Sequence, residues 1–231
     1  STNFETPTLN ELSNNPSGLG GFNPELMPQE ATNYEVGIKG IIKNKLRYEL
    51  ALFSIKVKEE IVSFELEDFP DQDFFRNAGS TDRKGVEASL TYNLAKGLNA
   101  FVNYTYSDFK YDSFRSFDGN FLPGIPKHNT FFALNYSRNK GLFGSLQVRS
   151  IGELFAKDDN SVTVDGFTVV NLKLGYQHNL AKGHIEPFFG INNLLGTEYF
   201  ANVRVNAFGS RFYDPAPPAH FYGGIKVYFG K

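Results

Sequence analysis

Reactive chemistry is hard to assemble from this chain. It has no cysteine, so a thiolate nucleophile, a cysteine-ligated zinc or iron–sulfur site and a disulfide scaffold are excluded. Its four histidines form no pair at metal-ligand spacing, and neither a Gly-rich phosphate loop nor a nucleophile elbow occurs. His184-Ile-Glu186 matches the opening of a zinc-deaminase signature, but the cysteines that complete that signature are missing. Asn103-Tyr-Thr105 and Asn135-Tyr-Ser137 fit the glycosylation acceptor pattern, yet both fall inside predicted strands, where they read as polar lumen-facing residues. The chain is expected not to be an enzyme, and to hold no cofactor and no metal of its own.

What the side chains do offer is capture of a ligand. Arg76 follows Phe74 and Phe75, Arg115 lies between Phe114 and Phe117, and Arg204, Arg211, Phe212 and Tyr213 share one late loop. Arg149 is predicted on the polar face of a strand. A guanidinium is a planar fork that matches carboxylates and similar anions, and a neighbouring ring adds a flat apolar surface. Each arginine taken alone is explained as a solvated loop charge. As a set they gather where a rigid scaffold presents its binding residues. The candidate ligand-binding residues are Phe75, Arg76, Arg115, Phe117, Arg149, Arg204, Arg211 and Tyr213. His128, at a strand start, reads as structural.

The elements that must position them are strands. From His184 the chain alternates, with Ile185, Phe189, Ile191 and Leu195 apolar; from His220 it does so again, with Phe221, Ile225, Val227 and Phe229. Glu186, Asn192, Lys226 and Tyr228 fall between them. A period of two places one face in an apolar medium and the other against something that accepts charge. The pattern recurs throughout. A polar, turn-rich stretch, Pro7 to Glu30, precedes a strand over 31–42. Lys43-Asn44-Lys45 then turns into a long strand over 46–66. Its apolar parity changes between Leu52 and Ile55, which predicts a bulge near Phe53-Ser54. A loop with Glu67, Asp68, Asp71, Asp73 and three phenylalanines is expected over 67–76. Further turns at Ala95-Lys96-Gly97, Asn139-Lys140-Gly141 and Ala181-Lys182-Gly183 alternate with loops over 112–127 and 156–166.

About ten strands result, the first truncated, with short turns at one end and long loops at the other. Outer-membrane β-barrels are built this way, with periplasmic turns and extracellular loops. Most of the strands carry enough residues to cross a bilayer tilted, which takes roughly 9–11. Tyr34, Tyr48, Tyr92, Tyr104, Tyr136, Tyr176 and Tyr199 fall near strand ends, where amphipathic rings suit the headgroup zone. The mean hydropathy of −0.33 fits such a wall, because half of each strand faces a polar lumen. No apolar run reaches the length of a membrane-spanning helix. The net charge of −2 argues against a nucleic-acid partner, since those binders are basic.

Three stretches stand out: Ser1-Thr-Asn-Phe-Glu-Thr-Pro-Thr-Leu-Asn-Glu-Leu12, Asn23-Pro-Glu-Leu-Met-Pro-Gln-Glu-Ala-Thr-Asn-Tyr-Glu-Val-Gly37 and Pro123-Gly-Ile-Pro-Lys-His128. On them rests a resemblance to the C-terminal half of TonB-dependent outer-membrane receptors of the siderophore and ferric-citrate type. Gly190-Ile-Asn-Asn-Leu-Leu-Gly-Thr-Glu-Tyr199 and Pro215-Ala-Pro-Pro-Ala-His-Phe-Tyr-Gly-Gly224 extend it along essentially the whole chain. It implies an all-β transmembrane antiparallel barrel, with residues 1–231 forming one partial domain, about ten strands of about 22, and the plug domain absent. It further implies a bacterial outer-membrane location, a ferric chelate as ligand, contact with outer-membrane lipid, and coupling to the TonB energy-transducing complex through the missing plug. No export leader opens the chain, so a mature protein or, in preference, an internal piece of a longer one is expected. Gly230-Lys231 after Phe229 departs from the aromatic ending of the family. The alternatives are a passive diffusion channel, a receptor for heme, copper, cobalamin or an oligosaccharide, and a soluble β-sandwich.

Overall fold

In the computed structural model, residues 1–17 and 20–229 are described, apart from the side chains of Pro70 and Asp71. The Gly18-Leu19 part of the first loop, the Asp71 carboxylate and the Gly230-Lys231 ending lie outside the described residues. The chain runs through β1 (Thr2–Glu5), α1 (Leu9–Leu12), β2 (Gln29–Ile42), β3 (Leu46–Leu66), β4 (Phe69–Ala95), β5 (Leu98–Ser113), β6 (His128–Tyr136) and β7 (Gly141–Ile151). It continues through β8 (Leu154–Phe155), β9 (Thr163–Val164), β10 (Phe167–Leu180), β11 (Gly183–Asn192), β12 (Phe200–Val203), β13 (Tyr213–Pro215) and β14 (His220–Tyr228). One antiparallel ten-stranded sheet has the order β1-β2-β3-β4-β5-β6-β7-β10-β11-β14. The pairs β8-β9 and β12-β13 are separate small sheets within the loops. The described sheet is a curved wall whose margins, β1 and β14, do not meet.

The short turns explain themselves chemically. Lys43 and Asn44 both have positive φ, 50° and 53°, the left-handed pair of a primed turn whose twist matches that of the flanking strands. At the β10–β11 turn, Gly183 (φ 126°) passes so close to β14 that a Cβ would sit 1.9 Å from the Tyr228 carbonyl oxygen. Only glycine closes that corner.

Register fixes the two faces. Val36, Leu52, Val86 and Tyr106 form one row across four strands, as do Leu134, Leu146, Leu172 and Ile191 across four more. On this face Tyr34, Val36, Phe221 and Ile225 are 68–72% exposed, so no described residue forms a second layer over the apolar stripe there. Such an area of bare apolar surface marks an interaction face rather than a solvated one. The opposite face carries Glu35, Lys39, Glu49, Glu87, Asn103, Gln147, Lys173 and the cross-strand pair Glu186–Lys226. Tyr34, Tyr104 and Tyr106 mark the upper edge of the outward band; Tyr48, Tyr92, Tyr136 and Tyr176 mark the lower one. Tyr199 departs from the expected belt, for it stacks on Phe167 inside the wall at 4.5 Å.

Three expectations change. β3 and β4 run in continuous register from Leu46 to Glu65, and the irregularity lies at Glu65–Leu66 rather than at Phe53-Ser54. Ile55 and Val57 fall on the inner face in unbroken register, Ile55 part-buried and Val57 4% exposed. The acidic, phenylalanine-rich stretch over 67–76 is mostly strand, since β4 already begins at Phe69. Phe74 is 2% exposed and sits against Phe64 and Phe69, so its burial carries the ladder outward. The first loop holds a capped turn of helix, where Thr8 Oγ1 accepts from Glu11 N and Glu11 Oε2 accepts from Thr8 N.

Candidate functional site

Two structures occupy the long-loop end. The first is a clasp around Asp158, which is 4% exposed. Tyr111 Oη on β5 donates to Asp158 Oδ1 at 2.7 Å, and Asn206 Nδ2 donates to the same oxygen at 3.0 Å. The Asp158 backbone N–H donates to Asn206 Oδ1 at 3.1 Å, and Asn120 Nδ2 donates to the Asp158 carbonyl at 2.9 Å. Arg76 Nη2 on β4 lies 3.4 Å from Asp158 Oδ2. Its guanidinium carbon stands 4.4 Å from the centre of the Phe64 ring and 5.4 Å from that of Phe114. One aspartate thus ties two strands and three loops together. Burial lowers the Arg76 pKa from its ordinary value, the nearby Arg115 charge adds to this, and Asp158 opposes both. Burial raises the Tyr111 pKa, helped by the Asp158 charge and hydrogen bond. At the rim, Ser161 hydrogen bonds hold Asp159 below the usual carboxylate range. Apolar packing backs the clasp: Ala78, Tyr111, Phe114 and Leu122 on one side, and Ala156, Val164, Ala207 and Phe212 on the other.

The second structure is an open groove of about 890 Å³ beside the clasp. Its floor is the upper end of β7 and β10, with Arg149, Ile151 and Phe167; its far wall is the segment from Gly196 to Val203. Two ring stacks line it. Phe167 and Tyr199 lie 4.5 Å apart at 29°, and Phe200 and Tyr213 lie 4.3 Å apart at 19°. Phe200 and Tyr199 reach the groove itself, along with Glu198 and Asp165. Arg149 is exposed and sits on the inner face, opposite Phe131 and Val169. The arrangement offers one cation, two carboxylates and flat ring surface to an organic molecule of that size.

The sequence-predicted residues divide between these structures. Arg76 belongs to the clasp, where its charge faces Asp158, and Phe75 presents its carbonyl to Asn23 Nδ2 at 3.0 Å. Arg115 is exposed beside Phe114 (5.6 Å), in a left-handed backbone conformation at φ 57°, and Phe117 packs on Phe114 at 5.8 Å. Arg149 lies in the groove, and Tyr213 backs its ring wall. Arg204 pairs with Asp214 at 3.6 Å, and Arg211 is exposed next to the buried Phe212. Sequence reasoning missed Asp158, Asn206, Phe167 and Phe200. Only Asn160, with φ 54°, signals a tight turn beside Asp158, and nothing in the spacing links that turn to residues 76 or 206. Asn103 and Asn135 face inward as read, and His128 joins the outward tyrosine belt, its Nδ1 2.9 Å from Tyr104 Oη.

Comparison with known proteins follows the same outline. Residues 1–194 match the family model described as TonB dependent receptor-like, beta-barrel. The ferrichrome outer membrane transporter/phage receptor of Escherichia coli (strain K12) is 25% identical over 189 residues, 79% of this chain and 24% of that protein. The ferric-pyoverdine 358 receptor of Pseudomonas putida is 27% identical over 190 residues, 77% of this chain and 22% of its own length. The chain therefore spans about a quarter of these curated relatives. Among solved structures, the copper transporter OprC superposes with a TM-score of 0.76 at 20% identity, over 99% of this chain and 35% of the other.

Proposed function

Since the chain belongs to the TonB dependent receptor-like β-barrel family, we propose that it forms a wall section, with its outer loops, of a receptor that imports a ferric chelate across the bacterial outer membrane. In this reading residues 1–231 are the C-terminal part of the barrel domain. The wall meets lipid on its apolar face and encloses a plug on its polar face, and the TonB energy-transducing complex is engaged through that plug. One observation carries the cargo reading: the groove with Arg149 in its floor and stacked aromatic rings along its side. A caged iron is presented on a bulky organic scaffold, and a guanidinium beside flat rings is suited to an anionic, partly planar one. The names of both curated relatives support the same class of cargo. Arg115, Phe117, Arg204, Arg211 and Tyr213 stand at the rim in this reading; Arg76 and Phe75 hold the loops in place behind it.

The test is uptake and binding by the full-length protein. Cells lacking it should lose growth on a ferric hydroxamate or ferric pyoverdine as sole iron source and regain it on complementation. Arg149→Ala should weaken binding of that chelate about tenfold or more, the size expected for losing a charged hydrogen bond. Undiminished chelate uptake in the deleted strain would end this reading.

A further inference from the structure

The short turns, which take no part in ligand capture, carry an unexplained bias. They hold Lys43, Lys45, Lys96, Arg138, Lys140 and Lys182 and no carboxylate, and all six cations are exposed. The opposite end of the wall is rich in acids, among them Glu67, Asp68, Asp112, Asp118, Asp158, Asp159 and Asp165. On the outward face, just above the β2–β3 turn, lies an apolar recess of about 460 Å³. Register explains it. Leu46, Tyr92 and Ala100 form one row across β3, β4 and β5, with Leu90 and Val102 in the row above. Ala100 is much smaller than its neighbours, so the row dips there. Lys43 and Lys45 form the lower lip of the recess, and its walls are otherwise almost entirely apolar.

An apolar trough opening onto two ammonium groups matches an amphiphile with a negative head. We propose that this recess binds an anionic glycerophospholipid of the leaflet on the short-turn side, one acyl chain over Ala100 and the phosphate between Lys43 and Lys45. Lysine is a good point-charge partner for phosphate, and basic residues next to a membrane-embedded segment attract anionic lipid. The remaining four cations lie on the same rim but do not line the recess. The inference rests on the outer-membrane reading above, because it requires the outward face to be in lipid and the short turns to face the periplasm.

The experiment reconstitutes the full-length protein in nanodiscs of phosphatidylcholine with a minority of phosphatidylglycerol and counts retained lipids by native mass spectrometry. The expected result is a phosphatidylglycerol molecule retained in preference to phosphatidylcholine. Lys43→Gln with Lys45→Gln should lower that retention about 25-fold, roughly fivefold for each lysine. Ala100→Phe, which fills the trough and leaves the lysines, should abolish it, and Lys140→Gln should leave it unchanged. Equal retention of both lipids, or retention indifferent to the double substitution, would overturn the proposal. The chain lacks cysteine, so Lys140→Cys gives a clean separate test of orientation with a membrane-impermeant maleimide. Labelling only after permeabilising the outer membrane supports the periplasmic placement. Labelling of intact cells overturns that placement and the lipid site together, whereas correct placement without lipid preference overturns the site alone.

Discussion

At the scale of single residues, the clasp and the groove respond differently to mutation. Asp158→Ala strands a half-buried guanidinium and removes the acceptor of Tyr111 and Asn206. The expected loss is roughly 3 kcal/mol, toward the low end for breaking a buried pair, because the Arg76 side chain keeps 22% of its exposure. Amide exchange at residues 111–122 and 156–164 should accelerate with it, while the spanning strands stay protected. Tyr111 gives a pH prediction with a definite sign. Its folded-state pKa is raised, so its contribution is complete below the unfolded value of about 10 and is lost as pH rises beyond it. Absorbance titration should find one phenol that ionises only when the outer loops loosen, and Tyr111→Phe should remove that late component. An alkaline end of the titration unchanged by Tyr111→Phe would contradict the buried placement. Arginines beside phenylalanines were legible in the sequence as a set. That Arg76 serves Asp158 was not, for the pair is separated by 82 residues along the chain, and only the folded wall brings them together.

At the scale of elements, strand alternation and turn chemistry were legible because each is local, although the parity change between Leu52 and Ile55 marks inner-face apolar positions rather than a bulge. Residues 46–66 form the strand expected, and all four short turns fall where Lys-Asn-Lys or Lys-Gly predicts them. The stretch 67–76 misled because charge and aromatic residues alternate irregularly there; what makes it strand is Phe74 burying itself against β3 and the loops, a tertiary effect that overrides local composition. Packing across strands yields a further prediction. The Phe143 ring on β7 lies over Gly175 of β10, where a Cβ would come within 2.2 Å of it, and the Tyr222 ring lies likewise over Gly190. Gly175→Val should force Phe143 off its rotamer and destabilise the wall by about 1–3 kcal/mol, read as a lower melting temperature in detergent. Gly196→Ala, at an open loop site with φ 65°, should cost no more than about 1–2 kcal/mol.

At the scale of the whole molecule, an exposed apolar stripe and two unjoined sheet margins dominate behaviour. The 231-residue chain by itself should sediment as heterogeneous oligomers in detergent-free buffer and disperse in detergent; a sharp monomer without detergent would count against the lipid-facing assignment. The class of wall was legible because alternation, turn length and loop length repeat along the chain. The groove was not, since its floor comes from β7 and β10 and its side from a segment between β11 and β14. The hairpin of β3 and β4 adds a last consequence. Its limbs have 21 and 27 residues, at least about twice the roughly 9–11 that crossing requires, so under the proposed function it extends well beyond the membrane-spanning part of the wall. Each limb is anchored separately: Ser63 and Glu65 accept from Asn206 and the Phe208 amide, while Asp73 and Phe75 accept from Asn14 and Asn23. A protease nick at the Glu67-Asp68 crest should therefore cut the polypeptide without toppling the tower. Under the proposed function, an epitope tag inserted at that crest should reach antibodies on living cells and leave ligand uptake nearly unchanged.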